Sequence, residues 1–269
     1  MIYNLKASSE DLRLLEDKEN NLADNLDYNN SIVKKPWGYE YLVFENEHVA
    51  IWMLHIARME KTSMHSHPNK STALILLGGE EAKISSLNKE YLLKESDCLM
   101  IEKSAFHQTE ATSNILTLPM SQNGIWVMEI ESPVNKSDLV RLKDNYGRVG
   151  SAYEGSSQMV SSPVDYLKLT YAKNDYKEYT FFNQKIVMVK SNQNLMNITD
   201  DDSYVFLIKH SDKNDPNIGV SIYLQKAKNI FLNNKYLNSH FLVIVKDSKR
   251  MKLSDYIFNF LENKGIKDI

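Results

Sequence analysis

The sequence predicts an all-β chain, and three observations carry that expectation. Short apolar runs recur from residue 33 onward, polar turns separate them, and their spacing leaves no room for the helices of βαβ units. The runs are 39–44, 48–57, 73–77, 82–85, 98–101, 115–118 and 125–130, which argues for an antiparallel sandwich or barrel. Gly78-Gly79-Glu80 punctuates the middle of the series as a hairpin turn would.

The elements divide the chain into four parts. Residues 1–32 form an N-terminal extension, where Leu12, Leu14, Leu15 and Leu22 among many charges fit a short amphipathic helix or a solvated arm. Residues 33–155 hold the first β-rich domain, and the Ser- and Gly-rich stretch 153–163 is a candidate linker. Residues 164–250 form a second β-rich lobe, with strands expected at 179–190, 204–210, 220–224 and 241–245. Within 251–269, residues 254–263 read as an amphipathic helix with Ser254 as N-cap and Gly265 at its end.

Composition narrows the function classes. With 269 residues, 42% of them hydrophobic, the chain can bury a substantial core and is no disordered segment. A net charge of -3 lacks the positive field of a non-specific nucleic-acid binder. No stretch has the apolar length of a signal peptide or membrane span, so the expectation is a soluble, cytoplasmic protein without a membrane or nucleic-acid partner. Cys98 is the single cysteine; it sits in an apolar run and reads as a core residue, not a nucleophile.

The chemistry concentrates around Met64-His65-Ser66-His67-Pro68 and, forty residues on, Phe106-His107-Gln108. On a strand, His65 and His67 point to one face, so both imidazoles can grip one ion. A third nitrogen from His107 would complete three protein ligands for a divalent metal, Zn, Fe, Mn or Ni, with positions left open for water or substrate. Structural histidines are the competing reading. His48, His55, His210 and His240 have no partner motif and receive that structural reading.

This stretch resembles the cupins, whose first motif carries two histidines separated by one residue, a following acidic residue and a terminating glycine, and whose second motif carries one histidine. His65, His67 and His107 match the three histidines, and Gly78 or Gly79 matches the glycine. The resemblance implies a double-stranded β-helix, or jelly-roll, barrel, with the second lobe as a degenerate cupin in a bicupin-like outline. The family's glutamate ligand falls at Ser71 or Thr72, with spacing favouring Thr72. That departure implies a three-histidine site of altered metal preference, a weak site, or a lost one.

Two flanks narrow the resemblance. Lys35-Pro36-Trp37-Gly38-Tyr39-Glu40 and the segment from Asp138 to Arg148 are similar to the flanks of the type II mannose-6-phosphate isomerase cupin. This implies an isomerase-like enzyme of surface-polysaccharide metabolism acting on a phosphorylated or nucleotide-linked sugar. Such a reaction needs a proton-moving group, a carbonyl polariser and a cationic phosphate site. Glu129 has the acid–base chemistry, although a place on the outer face of its strand competes, and Glu131 shares its face. Lys61 and Arg141 join Glu129 as catalytic candidates, and Lys70, Arg148 and Arg58 are candidates for substrate binding. A loop-locking pair with Asp144 competes for the two arginines of the second flank, and Trp37 and Trp126 read as packing residues.

Two other classes compete: a non-catalytic sugar-binding or regulatory module, and a three-histidine iron dioxygenase. Exposed sheet edges are most simply protected in a homodimer. Finally, residues 251–269 resemble the opening helix and strand of thiamine-diphosphate-dependent decarboxylases and synthases, which implies a functional link to such an enzyme but no bound thiamine diphosphate.

Overall fold

Strands whose residues are apolar at every position need cover on both faces, and the architecture follows from that need. The structure is a computed structural model that describes residues 1–16, 26–112, 124–149, 156–162, 166–182, 184–199 and 202–245. The first part runs through β1 (Ile2–Leu5), α1 (Ser9–Glu16), β2 (Ser31–Lys35), β3 (Gly38–Glu45), β4 (Ala50–Ala57) and β5 (Met64–Ser66). It continues with β6 (Ser71–Gly78), β7 (Glu81–Ser86), β8 (Glu90–Lys94), β9 (Cys98–Ile101), β10 (His107–Ala111), β11 (Gly124–Ser132), β12 (Val140–Lys143) and β13 (Met159–Ser161). The second lobe contains β14 (Tyr176–Phe181), β15 (Gln184–Lys190), α2 (Asn192–Met196), β16 (Tyr204–Lys209), β17 (Ser221–Tyr223), α3 (Leu224–Phe231) and β18 (His240–Val245).

Three sheets result. An eight-stranded sheet, β1-β9-β6-β11-β4-β3-β2-β13, faces a five-stranded sheet, β12-β5-β10-β7-β8, and the two close the jelly-roll barrel. Alternation along the first sheet sorts its side chains. Leu42, Trp52, Leu54, Leu74, Leu76 and Val127 turn inward onto Ala82, Ile84 and Leu93 of the facing sheet. Their neighbours Tyr41, Ile51, Met53, Ile75, Met128 and Ile130 turn outward. There they meet Ile186, Met188, Phe206 and Leu242 of the third sheet, β14-β15-β18-β16-β17. The far face of that sheet buries Val187, Val205 and Val243 against Leu224, Ala227 and Phe231 of α3. The protein is therefore all-β, a cupin-type barrel with a second β-rich lobe on its outer face.

Several boundaries differ from the sequence expectation. The start of the chain supplies β1, which pairs parallel with β9, and α1, whose buried Asp11 accepts a 2.8 Å hydrogen bond from the Phe106 backbone N–H. Part of the linker candidate is β13, paired with β2. The run 179–190 is a hairpin of β14 and β15, turning through Phe182 at φ 49° without a Gly or Pro to mark it. Residues 220–224 are a three-residue strand leading into α3, which the sequence reading missed because no side-chain cap announces it. The expected strand 115–118 and helix 254–263 lie outside the described residues. No helix among the described residues is long and apolar enough to cross a membrane.

The lobe seats on the barrel through close contacts that only glycine permits. A Cβ on Gly78 would lie 2.8 Å from the Phe182 ring, and one on Gly219, at φ +72°, would lie 2.6 Å from Ser132 Cβ. Polar bonds pin the same interface: Asn46 Nδ2 donates to Tyr171 Oη and to the Ile208 carbonyl, each at 2.8 Å. Gly219→Ala combines left-handed strain with this clash, so it should destabilise the protein by about 2 kcal/mol, read as a lowered urea midpoint at constant slope. A midpoint equal to wild type would show that the lobe shifts freely on the barrel.

Candidate metal centre

Period-two alternation puts His65 and His67 on one face at the end of β5, and the register of β10 against β5 sets His107 directly opposite His65. The ring centroids lie 4.4 Å (His65–His107), 5.0 Å (His65–His67) and 5.5 Å (His67–His107) apart. One ligand atom from each lies within 4.8 Å of the other two.

The hydrogen bonds decide which nitrogens face inward. Each Nδ1 meets a backbone carbonyl, that of Ser63 for His65 at 2.8 Å, Asp138 for His67 at 2.6 Å and Ala105 for His107 at 3.1 Å. A carbonyl only accepts, so Nδ1 carries the proton in all three rings and each Nε2 presents a lone pair. His67 Nε2 is buried with no hydrogen-bond partner among the described residues. Loss of water around the rings holds all three below the ordinary imidazole range, His107 at about 4. Mutual proximity pushes His65 further down, as does the Lys70 ammonium for His67. Three neutral imidazoles with converging lone pairs are a donor set that fits a divalent metal.

Beside them, a cavity of about 50 Å³ holds space for a few water molecules. Glu129 and Glu131 reach it because they share the inward phase of β11 with Ile125 and Val127, so the outer-face alternative for Glu129 does not hold. The cavity's charges are mostly paired. Glu131 takes Lys70 Nζ at 2.6 Å and Lys136 Nζ at 3.9 Å; Glu40 takes Lys136 at 3.0 Å and Lys35 at 3.5 Å. Lys136 Nζ also lies 3.5 Å from the centre of the Trp52 ring. Burial alone would raise Glu131, but Lys70 and Lys136 outweigh it and hold its carboxyl below the usual range. Glu129 lies with Oε1 3.9 Å from His67 Nε2, and burial reinforced by Glu131 raises its carboxyl to about 8.

Of the residues singled out in the sequence, the structure brings His65, His67, Lys70, Glu129, Arg141 and Arg148 to this cavity, with His107 against the other two rings. Arg141 pairs in register with His65. Arg148 lines the cavity and also binds Asp144 at 2.7 Å, the loop-locking pair. Lys61 and Arg58 do not line the cavity: Lys61 bridges to Glu110, and Arg58 occupies the turn after β4. Thr72 is buried, one strand over from Glu131, with no hydrogen-bond partner for its hydroxyl among the described residues. Trp37 packs in the barrel core and also lines the cavity, and Trp126 packs outside the barrel against Phe181 and Phe182. Cys98 is buried, its thiol pushed up to about 12 by burial.

Sequence reasoning missed Lys35, Glu40, Lys136 and Asp138. Glu40 was visible as a charge in phase with Leu42 on an otherwise apolar strand. Asp138 positions the centre: its carboxylate accepts from the Asn69 and Lys70 N–H groups at 2.8 and 3.0 Å, while its carbonyl takes His67 Nδ1–H.

The depressed histidines fix a pH dependence for the metal-free protein. Below the ordinary value of about 6.5 the unfolded chain takes up protons that the folded chain refuses until about pH 4. Stability is therefore full above pH 6.5 and declines as pH falls through that window. Thermal melts should show this slope, shallower in His107→Gln; an unchanged slope would mean that His107 titrates normally.

No family model and no curated protein matches the chain. Solved structures that resemble it include KdgF from a Halomonas species, at 12% identity over 38% of this chain and 83% of that one, with a TM-score of 0.33. A cupin-like protein from Thermotoga maritima is 15% identical over 39% of this chain and 76% of that one, with a TM-score of 0.33. The capsular polysaccharide assembling protein CapF from Staphylococcus aureus is 11% identical over 42% of this chain and 34% of that one, with a TM-score of 0.35. The strand order and the two facing sheets carry the assignment themselves: the first part of this chain has the double-stranded β-helix fold of the cupin-like proteins.

Proposed function

We propose that the protein is a metal-dependent enzyme that acts on a phosphorylated or nucleotide-linked sugar, with isomerase-like chemistry. The observation that carries this reading is the set of three neutral imidazoles whose Nδ1–H groups are tied to carbonyls, leaving three Nε2 lone pairs beside a charged cavity. His65, His67 and His107 would hold the ion, for which nitrogen donors suit Zn, Fe, Mn or Ni. When bound, it would supply Lewis-acid polarisation of a substrate carbonyl.

The chain's own groups divide the remaining work. Glu129 projects to the centre and can take up or return a substrate proton. Arg141 and Arg148, which line the cavity, offer guanidinium forks suited to a phosphate. Lys70, although near the centre, is occupied by Glu131 and by the Asn135 carbonyl at 3.1 Å, so its part is to hold the carboxylates in place.

The missing carboxylate at Thr72 favours a second reading, a sugar-binding module without turnover. Elemental analysis and an isomerisation assay on aldose phosphates separate the two. About one metal per chain with turnover supports the enzyme. Metal or ligand binding without turnover supports the module, and oxygen consumption that requires ferrous iron would point instead to a dioxygenase. His67→Ala should strip the metal while the apo fold persists. Chelation of wild type should lower its stability by about 2.7 kcal/mol relative to protein at a hundredfold excess of metal over its dissociation constant. No metal and no turnover would defeat the enzyme reading.

A further inference from the structure

Arg148 reaches the cavity from the loop Asp144-Asn145-Tyr146-Gly147-Arg148, which follows β12. Asp144 organises the loop from within. Its carboxylate accepts from the Tyr146 N–H at 3.0 Å and the Arg148 N–H at 2.8 Å, and it takes one edge of the guanidinium, Nε at 3.2 Å and Nη2 at 2.7 Å. Gly147 turns the chain at φ +77°, and nothing lies within 4 Å of the place a Cβ would occupy, so the turn and not crowding calls for glycine. These bonds fix Arg148 relative to its loop. They do not fix the loop relative to the barrel.

Tyr146 supplies that second connection. Its ring packs on the inner barrel cluster, and the Arg148 guanidinium carbon lies 5.3 Å from the ring centre. Its hydroxyl donates to Glu60 Oε2 at 2.5 Å, with the Lys61 carbonyl 3.2 Å away. Burial and the Glu60 carboxylate push that hydroxyl up to about 12, so it remains a donor at neutral pH. The receiving segment is itself tied to the strands that carry the histidines. The Ala111 N–H donates to the Glu60 carbonyl at 3.0 Å and the Thr62 N–H to the Thr109 carbonyl at 2.9 Å, and the same segment runs on through Thr62 and Ser63 of the cavity lining to His65.

We propose that Tyr146 is a positioning residue for Arg148: it latches the 144–148 loop to Glu60 and so sets where the guanidinium stands in the cavity. The inference rests on the reading of Arg148 as a partner for a phosphate group and adds the residue that places it. Asp144 orients the guanidinium, and Tyr146 locates it. A ligand that met the same guanidinium on an unlatched loop would have to order the loop as it bound, with a loss of affinity.

The test uses inorganic phosphate as the probe, titrated calorimetrically into wild type, Tyr146→Phe, Arg148→Ala and the double variant over a range that saturates the weaker ones. Tyr146→Phe keeps the ring and removes only the hydroxyl, and it should weaken phosphate binding about tenfold, the scale of one hydrogen bond to a charged acceptor. In the Arg148→Ala background the same change should have less than about a twofold effect, because no guanidinium remains to be placed. Unchanged affinity in Tyr146→Phe would overturn the latch, as would an equal loss in both backgrounds, which marks a general disturbance of the cavity. Arg148→Ala that binds phosphate as tightly as wild type, or wild type that binds none, would defeat the underlying phosphate reading and this inference with it. If Tyr146→Phe fails to fold, Glu60→Gln, which weakens the same bond from the acceptor side, takes its place in the cycle and should show the same dependence on Arg148.

Discussion

The central strands of the eight-stranded sheet, β6, β11 and β4, have almost no face left for water. Their inner side chains close the barrel and their outer ones pack beneath the second lobe, so Met128 and Ile130 are as deeply buried as Ile125 and Val127. A polar residue on a central strand of such a sheet can be accommodated only where the barrel interior provides partners, because an unpaired buried charge is far more costly than an apolar residue in its place. Glu40, Glu129 and Glu131 therefore converge on one cavity, and Lys35, Lys70 and Lys136 meet them there. The lobe, none of whose described residues lines the cavity, still shapes it by denying these side chains the outside.

Buried ion pairs of this kind contribute little net stability, since desolvation offsets attraction. Their physical effect is positional. Lys136 is fixed by Glu40, Glu131 and the Trp52 ring at once, and Lys70 by Glu131 and the Asn135 carbonyl. The cavity wall carries five cationic side chains, Lys35, Lys70, Lys136, Arg141 and Arg148, against three carboxylates, one of them held protonated near neutral pH.

How far the site was legible follows from the range of each interaction. His65 and His67 were readable because their spacing is local and period two settles their common face; His107 was readable from its place after a strand and turn. The face of Glu129 was not readable, because Trp126, Met128 and Ile130 look as apolar as Ile125 and Val127. Only the lobe on the outer side tells the two faces apart. The lysine partners were hidden for another reason. Lys70 and Glu131 are 61 residues apart, and no local pattern announces so distant a pairing. The same holds at fold level: the apolar runs on long strands were plain, while β1, β13 and the turn at Phe182 depend on neighbours remote in sequence.

The three carbonyls that set the histidine tautomers come from three separate segments: Ser63 before β5, Ala105 before β10, and Asp138 before β12. None is regular ladder structure; each is a loop brought to the same end of the barrel by the pairing of β12, β5 and β10. In the unfolded chain no such carbonyl is held in place, and the imidazoles are free to present either nitrogen. The donor set therefore exists only once the five-stranded sheet has formed, which makes metal affinity a property of the whole barrel. α1 extends that dependence to the start of the chain. Asp11 caps it through the Ser8 backbone N–H at 2.8 Å and also accepts from the N–H of Phe106, the residue immediately before His107. A segment that looks like an appendage in sequence thus braces the backbone that carries the third histidine.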